Sequence, residues 1–372
     1  MRGPDVFVVA ENVYSPLGKT TSENFSNLKQ NVSAVKQHQL NSLNYFAALF
    51  DGGEFPSNEK YTKFEQLLIA SITDALEQSR FDASDKKTAI IISSTKGNIS
   101  LLETEKNSAK LQKRIALSTS AKLVAEYFGF VNQPIIISNA CVSGVMAIIT
   151  GMRLLRTGQY ENAVIVGADV ISEFILSGFQ SFQALSTQVC RPFDRSRDGL
   201  NLGEGAGTII LSTNKKYTGN IKIKGGGISN DANHISGPSR TGQELSYAIN
   251  QSLKDAGLTG SDIDFISAHG TATVYNDEME ANAIALSGLS TSPLNSLKGY
   301  YGHTLGAAGL IESIISIQSL KENFFLPTPG FEEPDVTQPV NVIASPLHLV
   351  AKNILKTASG FGGCNAAVVF GK

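Results

Sequence analysis

The chain has 372 residues, 42% of them apolar and 17% charged, and its 31 Lys and Arg nearly balance 33 Asp and Glu. That length predicts two domains or one large domain with a duplicated core, and a formal net charge of −2 gives no support to nucleic-acid or general membrane-surface binding. No apolar run approaches the roughly 18–20 residues that span a bilayer, and Val6 to Ala10 is too short for a signal-peptide core.

In chain order, VFVVA (6–10) reads as a strand and Phe64 to Gln78 as a helix, with Phe64, Leu67, Leu68, Ser71, Ile72, Ala75 and Leu76 on one stripe. AIIIS (89–93), PIIIS (134–138), AVIVGAD (163–169), GTIILS (207–212), IKIKG (221–225), DIDFISA (262–268) and AAVVF (366–370) follow as strands. Several lack apolar/polar alternation, the mark of strands buried on both faces. Gln243 to Ala256 predicts a second amphipathic helix, capped by Gly257. Strands alternating with helices mean an α/β fold. The polar stretch TNKKYTG (213–219) marks a seam between an N-terminal half, 1–212, and a C-terminal half, 213–372. Segments 51–60 and 326–340 read as surface connections.

The run PIIISNACVSGVMAIITGMRLLRTG is a buried strand, a tight turn and a helix reaching about Thr157. Cys141 falls at the first helical turn, where free N–H groups favour an anion. Such a setting can lower a thiol from about 8.5 to roughly 3.5–7.5, and Ser143 and Gly144 leave room for a substrate. Cys190 and Cys364 lack a comparable helix start and read as small buried residues. Three cysteines without metal-ligand spacing fit a reducing cytoplasm.

His269 ends the strand DIDFISAHG, and His303 lies in KGYYGHTLGAAG among glycines that permit close packing. Residues just past strand ends face the ligand crevice of an open α/β sheet. His38, His234 and His348 have no such setting. A Cys–His hydrolase triad has no use for two histidines, and no His-x-x-x-His or Cys-x-x-Cys pair suggests a metal. Two neutral imidazoles donating to one oxyanion while a thiolate holds a second reactant fit carbon–carbon bond formation from an enolate.

NACVSG (139–144), RPFDRSRDGLNLGEGAG (191–207), HGTATVYND (269–277), KGYYGHTLGAAGLIE (298–312) and GFGGCNA (360–366) occur in one order along the chain. Taken together they resemble the β-ketoacyl-acyl-carrier-protein synthases, the decarboxylating Cys-His-His branch of the thiolase-like condensing enzymes. The resemblance implies a thiolase-like fold, two similar βα halves with mixed sheets in an α-β-α-β-α layering, the first carrying the nucleophile and the second both histidines. It implies that Cys141 carries the growing acyl chain and that His269 and His303 hydrogen-bond the malonyl thioester carbonyl. By the same resemblance Lys298 and Glu312 organise charge around the second histidine, and the N–H groups of Cys141 and Phe361 form the oxyanion hole. Phe361 would also be a gate, Thr271 and Thr273 would line the phosphopantetheine tunnel, and Asp277 would support the site. No bound cofactor or metal is implied. The implied partners are acyl carrier protein, whose acidity calls for a basic patch with Lys60 and Lys63 as candidates, and a second subunit, identical or homologous.

The sequence departs from the family pattern in places. AENVYSPLG keeps Ser15 to Gly18 without the preceding glycines, residues 40–63 are short, and Ser359 stands where many members have a bulky residue two positions before the gate. The last change would widen the acyl pocket and points toward a specialised synthase of polyene or polyketide-like chains. The rivals are a thiolase-type acyltransferase, which needs a second cysteine such as Cys364, and a non-catalytic chain-length-factor-like subunit, which typically lacks the nucleophile.

Overall fold

Five strands are laid out twice by one rule. In a computed structural model describing residues 3–40, 43–55, 58–79, 81–217, 219–233 and 235–372, the first half supplies β1 (Val6–Tyr14), β2 (Thr88–Ser93), β3 (Ile135–Ile137), β4 (Asn162–Asp169) and β5 (Gly205–Ser212). The second supplies β6 (Ile221–Asn230), β7 (Phe265–Ser267), β8 (Pro293–Asn295), β9 (Asn353–Gly360) and β10 (Cys364–Gly371). Neighbours run β3-β2-β4-β5-β1 and β8-β7-β9-β10-β6, so each half has the order 3-2-4-5-1. In each, only the fifth strand runs antiparallel to its neighbours, the other pairings being parallel. Antiparallel pairing of β1 with β6 and a short Asn341–Val342 edge complete a mixed sheet of eleven strands.

Every residue of β2, β4 and β5 is buried, because helices cover both faces. Outside lie α1 (Lys63–Ser79), against β1, β4 and β5, and α3 (Gln243–Ala256), against β6 and β10, with α4 (Val274–Leu286) packed on α3. Between the halves lie α2 (Ser143–Arg156) and α5 (Ala308–Glu322), which touch strands of both. The layering is therefore α-β-α-β-α. The inner helices meet backbone to backbone: a Cβ on Gly144 would sit 2.7 Å from the Leu310 nitrogen, and one on Gly309 would sit 2.7 Å from that of Val145. At the far end of α2, Arg156 pairs with Asp255 at 2.8 Å and donates to the Lys224 carbonyl, tying the first half to the second.

Several local expectations shift. IKIKG grows into the ten-residue β6, whose Gly225 and Gly227 let α3 lie close; added Cβ atoms there would meet the Ser252 and Ala248 carbonyls at 2.3 and 2.0 Å. DIDFISA shrinks to Phe265–Ser267 because Thr259 and Asp262 close a capping box around a 3-10 turn. Strand β9 does not announce itself, since Lys356 and Ser359 interrupt its apolar run. The hairpin Lys36–Leu40 and Leu43–Ala48, which pairs with Leu202–Gly203, is likewise invisible to patterning. His234 lies outside the described residues.

Candidate active site

The nucleophile candidate sits on an elbow. After β3 the chain takes a left-handed step at Ala140, φ 45°, an uncommon conformation for a residue with a side chain. The Ser143 hydroxyl holds the turn, accepting from the Asn139 N–H at 2.8 Å and donating to the Ala140 carbonyl at 2.6 Å. Helix α2 begins at Ser143, leaving Cys141 just ahead of it and 8% exposed. Burial pushes its thiol up to about 11, with the Asp169 carboxylate adding to the rise; the Lys298 ammonium and the N–H groups of Cys141 and Phe361 pull the other way. Burial thus outweighs the helix N-terminus, and the resting group is a thiol rather than the thiolate expected from position alone. Gly144 does not clear space for a substrate either, because the space beside it is filled by the backbone of α5.

His269 leaves the end of β7 with both sides of its backbone gripped. Its N–H donates to Glu280 Oε1 at 2.8 Å, its carbonyl accepts from Lys298 Nζ at 2.5 Å, and the next N–H, of Gly270, donates to Glu280 Oε2 at 2.7 Å. His303 is held by the first half: its N–H donates to the Asn201 carbonyl at 2.6 Å and its carbonyl accepts from Gly203 at 3.1 Å. That contact requires glycine, since a Cβ on Gly203 would fall 2.0 Å from the Tyr301 carbonyl. The imidazoles stand edge to face with centroids 5.4 Å apart, and among the described residues neither His303 ring nitrogen meets a protein partner. Burial first, then the Lys298 charge, holds both rings far below the ordinary histidine range, with Lys356 adding to the effect. They are neutral at pH 7.

Lys298 contacts the first histidine rather than the second. Its Nζ lies 3.5 Å from His269 Nδ1 and 2.6 Å from Glu312 Oε1, and all three groups are buried. Burial by itself would raise the Glu312 carboxyl; the ammoniums of Lys298 and Lys356 more than offset this and hold it below the usual range.

Cys141, His269 and His303 line one cavity of about 470 Å³, together with Thr271, Thr273, Ser359 and Phe361. The Thr271 and Thr273 hydroxyls bond each other at 2.8 Å. Ser359 donates to Asn365 Oδ1 at 2.8 Å, so its small side chain is tied into the wall. Phe361 is 39% exposed, stacks on Phe179 and meets Phe182 edge to face. Gly362 and Gly363 follow it at φ 85° and 78°, a backbone only glycine adopts without strain. Asp277 does not line the cavity; its oxygens accept from Thr271 and Phe193 N–H groups and anchor the loop from beneath. Cys364 turns away toward Asn230 Oδ1, 2.9 Å from its sulfur, while its neighbours Gly363 and Asn365 line the cavity. Lys63 is engaged by Glu204 at 2.6 Å.

Sequence patterning passed over three buried carboxylates and cations that hold this site: Glu280, Lys356 and Asp169. Asp169 accepts from Ser94 and Thr95 of the first half and from the Gly306 N–H of the second, stapling the halves beside the thiol. A charge next to buried apolar residues of a strand, at the end of β4 for Asp169 and after Ile354 and Leu355 for Lys356, was the available signal.

Models of the β-ketoacyl synthase N-terminal and C-terminal domains match residues 4–216 and 221–332. The 3-oxoacyl-[acyl-carrier-protein] synthase 2 of Vibrio cholerae serotype O1 is 30% identical over 406 residues, covering 98% of each chain. A putative mitochondrial 3-oxoacyl-[acyl-carrier-protein] synthase of Schizosaccharomyces pombe is 27% identical and 99% covered on both sides. Among solved structures, the ishigamide ketosynthase/chain length factor superposes with TM-score 0.89 at 24% identity, over 100% of this chain and 99% of that one. AntDE:AntF, a type II polyketide ketosynthase with its acyl-carrier protein, gives 0.88 at 23% identity over the whole of both chains. At these identities the two structures speak to the fold, which is thiolase-like.

Proposed function

The chain belongs to the β-ketoacyl synthase family, and from that premise we propose how its residues divide a decarboxylative condensation. The chain is an acyltransferase that extends a carrier-bound acyl chain by two carbons. Cys141 attacks the acyl thioester, the carrier's thiol departs, and the chain passes to the cysteine sulfur. Because the thiol is pushed up to about 11, its proton must leave as the bond forms; an unpartnered His303 ring nitrogen would relay it to the departing carrier sulfur, so that the ring is neutral again before the next substrate enters. The N–H groups of Cys141 and Phe361 stabilise the tetrahedral oxyanion.

Malonyl thioester then enters. His269 and His303, neutral, donate to its carbonyl oxygen as CO₂ leaves; the enolate carbon attacks the acyl–Cys141 carbonyl and expels the cysteine thiolate. Two fixed donors in a dry pocket suit this step, one such donor being worth about 3–4 kcal/mol. Holding the acyl chain covalently makes the attack effectively intramolecular. Thr271 and Thr273 would flank the phosphopantetheine arm that delivers both substrates, Phe361 would gate it, and Ser359 would leave room for the acyl chain. Residues 1–212 would form the nucleophile-bearing half and 213–372 the histidine-bearing half. Acyl carrier protein is the expected partner, and an identical or homologous synthase subunit the expected mate. Among the described residues no helix is long and apolar enough to cross a membrane; the cytoplasm, where carrier proteins work, is the expected compartment.

The observation that carries this assignment is the single cavity shared by one thiol and two neutral imidazoles. The test is mass analysis of the Cys141 peptide after incubation with acyl-carrier protein, followed by CO₂ release from malonyl-carrier protein. An acyl adduct and CO₂ are expected. Absence of the adduct where a control synthase loads would reject catalysis in favour of a non-catalytic subunit. Loading with condensation but no CO₂ would mark a thiolase.

A further inference from the structure

Strand β9 is buried through Ser359, yet carries a fully buried lysine at its centre, Lys356. Lysine is almost never wholly buried without a partner, and this one has three. Its Nζ lies 2.8 Å from Glu312 Oε2 and donates to the Ser267 and Ala268 carbonyls at 3.2 and 3.1 Å. Lys298 mirrors it, with Glu312 Oε1 at 2.6 Å and the His269 carbonyl at 2.5 Å. One carboxylate is therefore straddled by two ammoniums, which between them take three consecutive carbonyls, from Ser267 at the end of β7 through Ala268 to His269. On the opposite side Glu280 takes the N–H groups of His269 and Gly270, and Thr357, next to Lys356, donates to Glu280 Oε1 at 2.6 Å.

We infer that Lys356 is a positioning residue for the condensation: with Lys298 it clamps the 267–269 carbonyls to Glu312, fixes the His269 ring, and supplies the second positive charge against which that ring works. The inference rests on the proposed function and deepens it. The charged and titratable groups around Lys356 are Glu312 from α5, Glu280 from α4, Lys298 from the turn before His303, and the two imidazoles. Two ammoniums balance two carboxylates, so a proton on either ring would add an uncompensated charge in a buried space. Removing Lys356 removes one of the charges that oppose ring protonation. Lys298 alone would leave Glu312 Oε2 without its ion-pair partner and the Ala268 carbonyl without the Lys356 ammonium.

The test is the pH profile of malonyl-carrier decarboxylation in Lys356→Met, Lys356→Arg, Glu312→Gln and the Lys356→Met/Glu312→Gln pair. Lys356→Met should move the acidic limb upward by about one pH unit, an approximately tenfold loss at a pH on that limb. Lys356→Arg, which keeps the charge, should restore the limb. Should Lys356→Met fail to fold, Glu312→Gln against the charge-balanced double variant gives the same comparison, the double variant lying at higher pH. A rate that falls equally at every pH, with the limb unmoved, would overturn the inference and leave Lys356 a merely structural cation. Ring titration of the histidines by ¹⁵N NMR keeps the two claims apart. If the wild-type protein releases no CO₂ but the His269 ring titrates at higher pH in Lys356→Met, the function falls and the positioning role stands; if neither ring moves, the positioning role falls.

Discussion

The third strand of each half leads into an inner helix, and the two junctions solve different problems. After β3 the chain presents Cys141 with backbone alone: a left-handed Ala140, a serine bridging the turn, and N–H groups aimed at the sulfur. After β8 it presents His303, and beside it stands a buried lattice of Lys298, Lys356, Glu312 and Glu280 that grips His269. A nucleophile needs one bond direction and an oxyanion hole, which peptide groups supply cheaply. Two imidazoles that must stay neutral need a charge scaffold, which only side chains from several elements can build. Asp169 joins the junctions by holding Gly306 against Ser94 and Thr95.

That contrast can be broken at either junction. The largest effect is expected from Cys141→Ala, which should abolish acyl loading and lower condensation by more than about 10³-fold, while CO₂ release from malonyl-carrier protein survives; intact-mass and radiochemical CO₂ assays check the pair. Next comes the state of the thiol. With the group pushed up to about 11, its thiolate fraction rises with pH throughout the neutral range, so iodoacetamide alkylation of Cys141 should accelerate about tenfold per unit, near 10³-fold from pH 7 to 10. A plateau below pH 8 would mean that the elbow's N–H groups outweigh burial after all.

At the second junction, His269→Ala should cost about 10²–10³-fold in decarboxylation, the scale for one oxyanion donor, and leave loading of Cys141 intact by mass. The smallest effect belongs to the seam between the junctions. Gly144→Ala puts a methyl 2.7 Å from the Leu310 nitrogen, and overpacking of this kind costs about 1–3 kcal/mol, read as a lowered urea midpoint. An unchanged midpoint would show that the inner helices can slide apart.

Much of this protein was legible along the chain. The all-buried strands betray helices on both faces, Gly257 stops α3 where its stripe ends, and five glycine-rich motifs in order point to Cys141, His269 and His303. Less legible were β9, whose Lys356 and Ser359 mask a strand, and the hairpin at 36–48, which is defined by its pairing with Leu202–Gly203 rather than by its own pattern. Gly144 was visible as a small residue, but what fills the space beside it was not.

Residue order by itself settled local matters: most of the buried strands and amphipathic helices, where the elbow lies, and which side chains have reactive chemistry. Those follow from dihedral preferences and periodicities that act within a few residues. Tertiary structure alone decided that the sulfur is buried, which raises its thiol, that Lys298 contacts His269, and that Glu312 is shared by a second lysine 44 positions further on. Desolvation and charge balance sum over everything within a few ångströms, and those neighbours come from positions spread between Cys141 and Phe361.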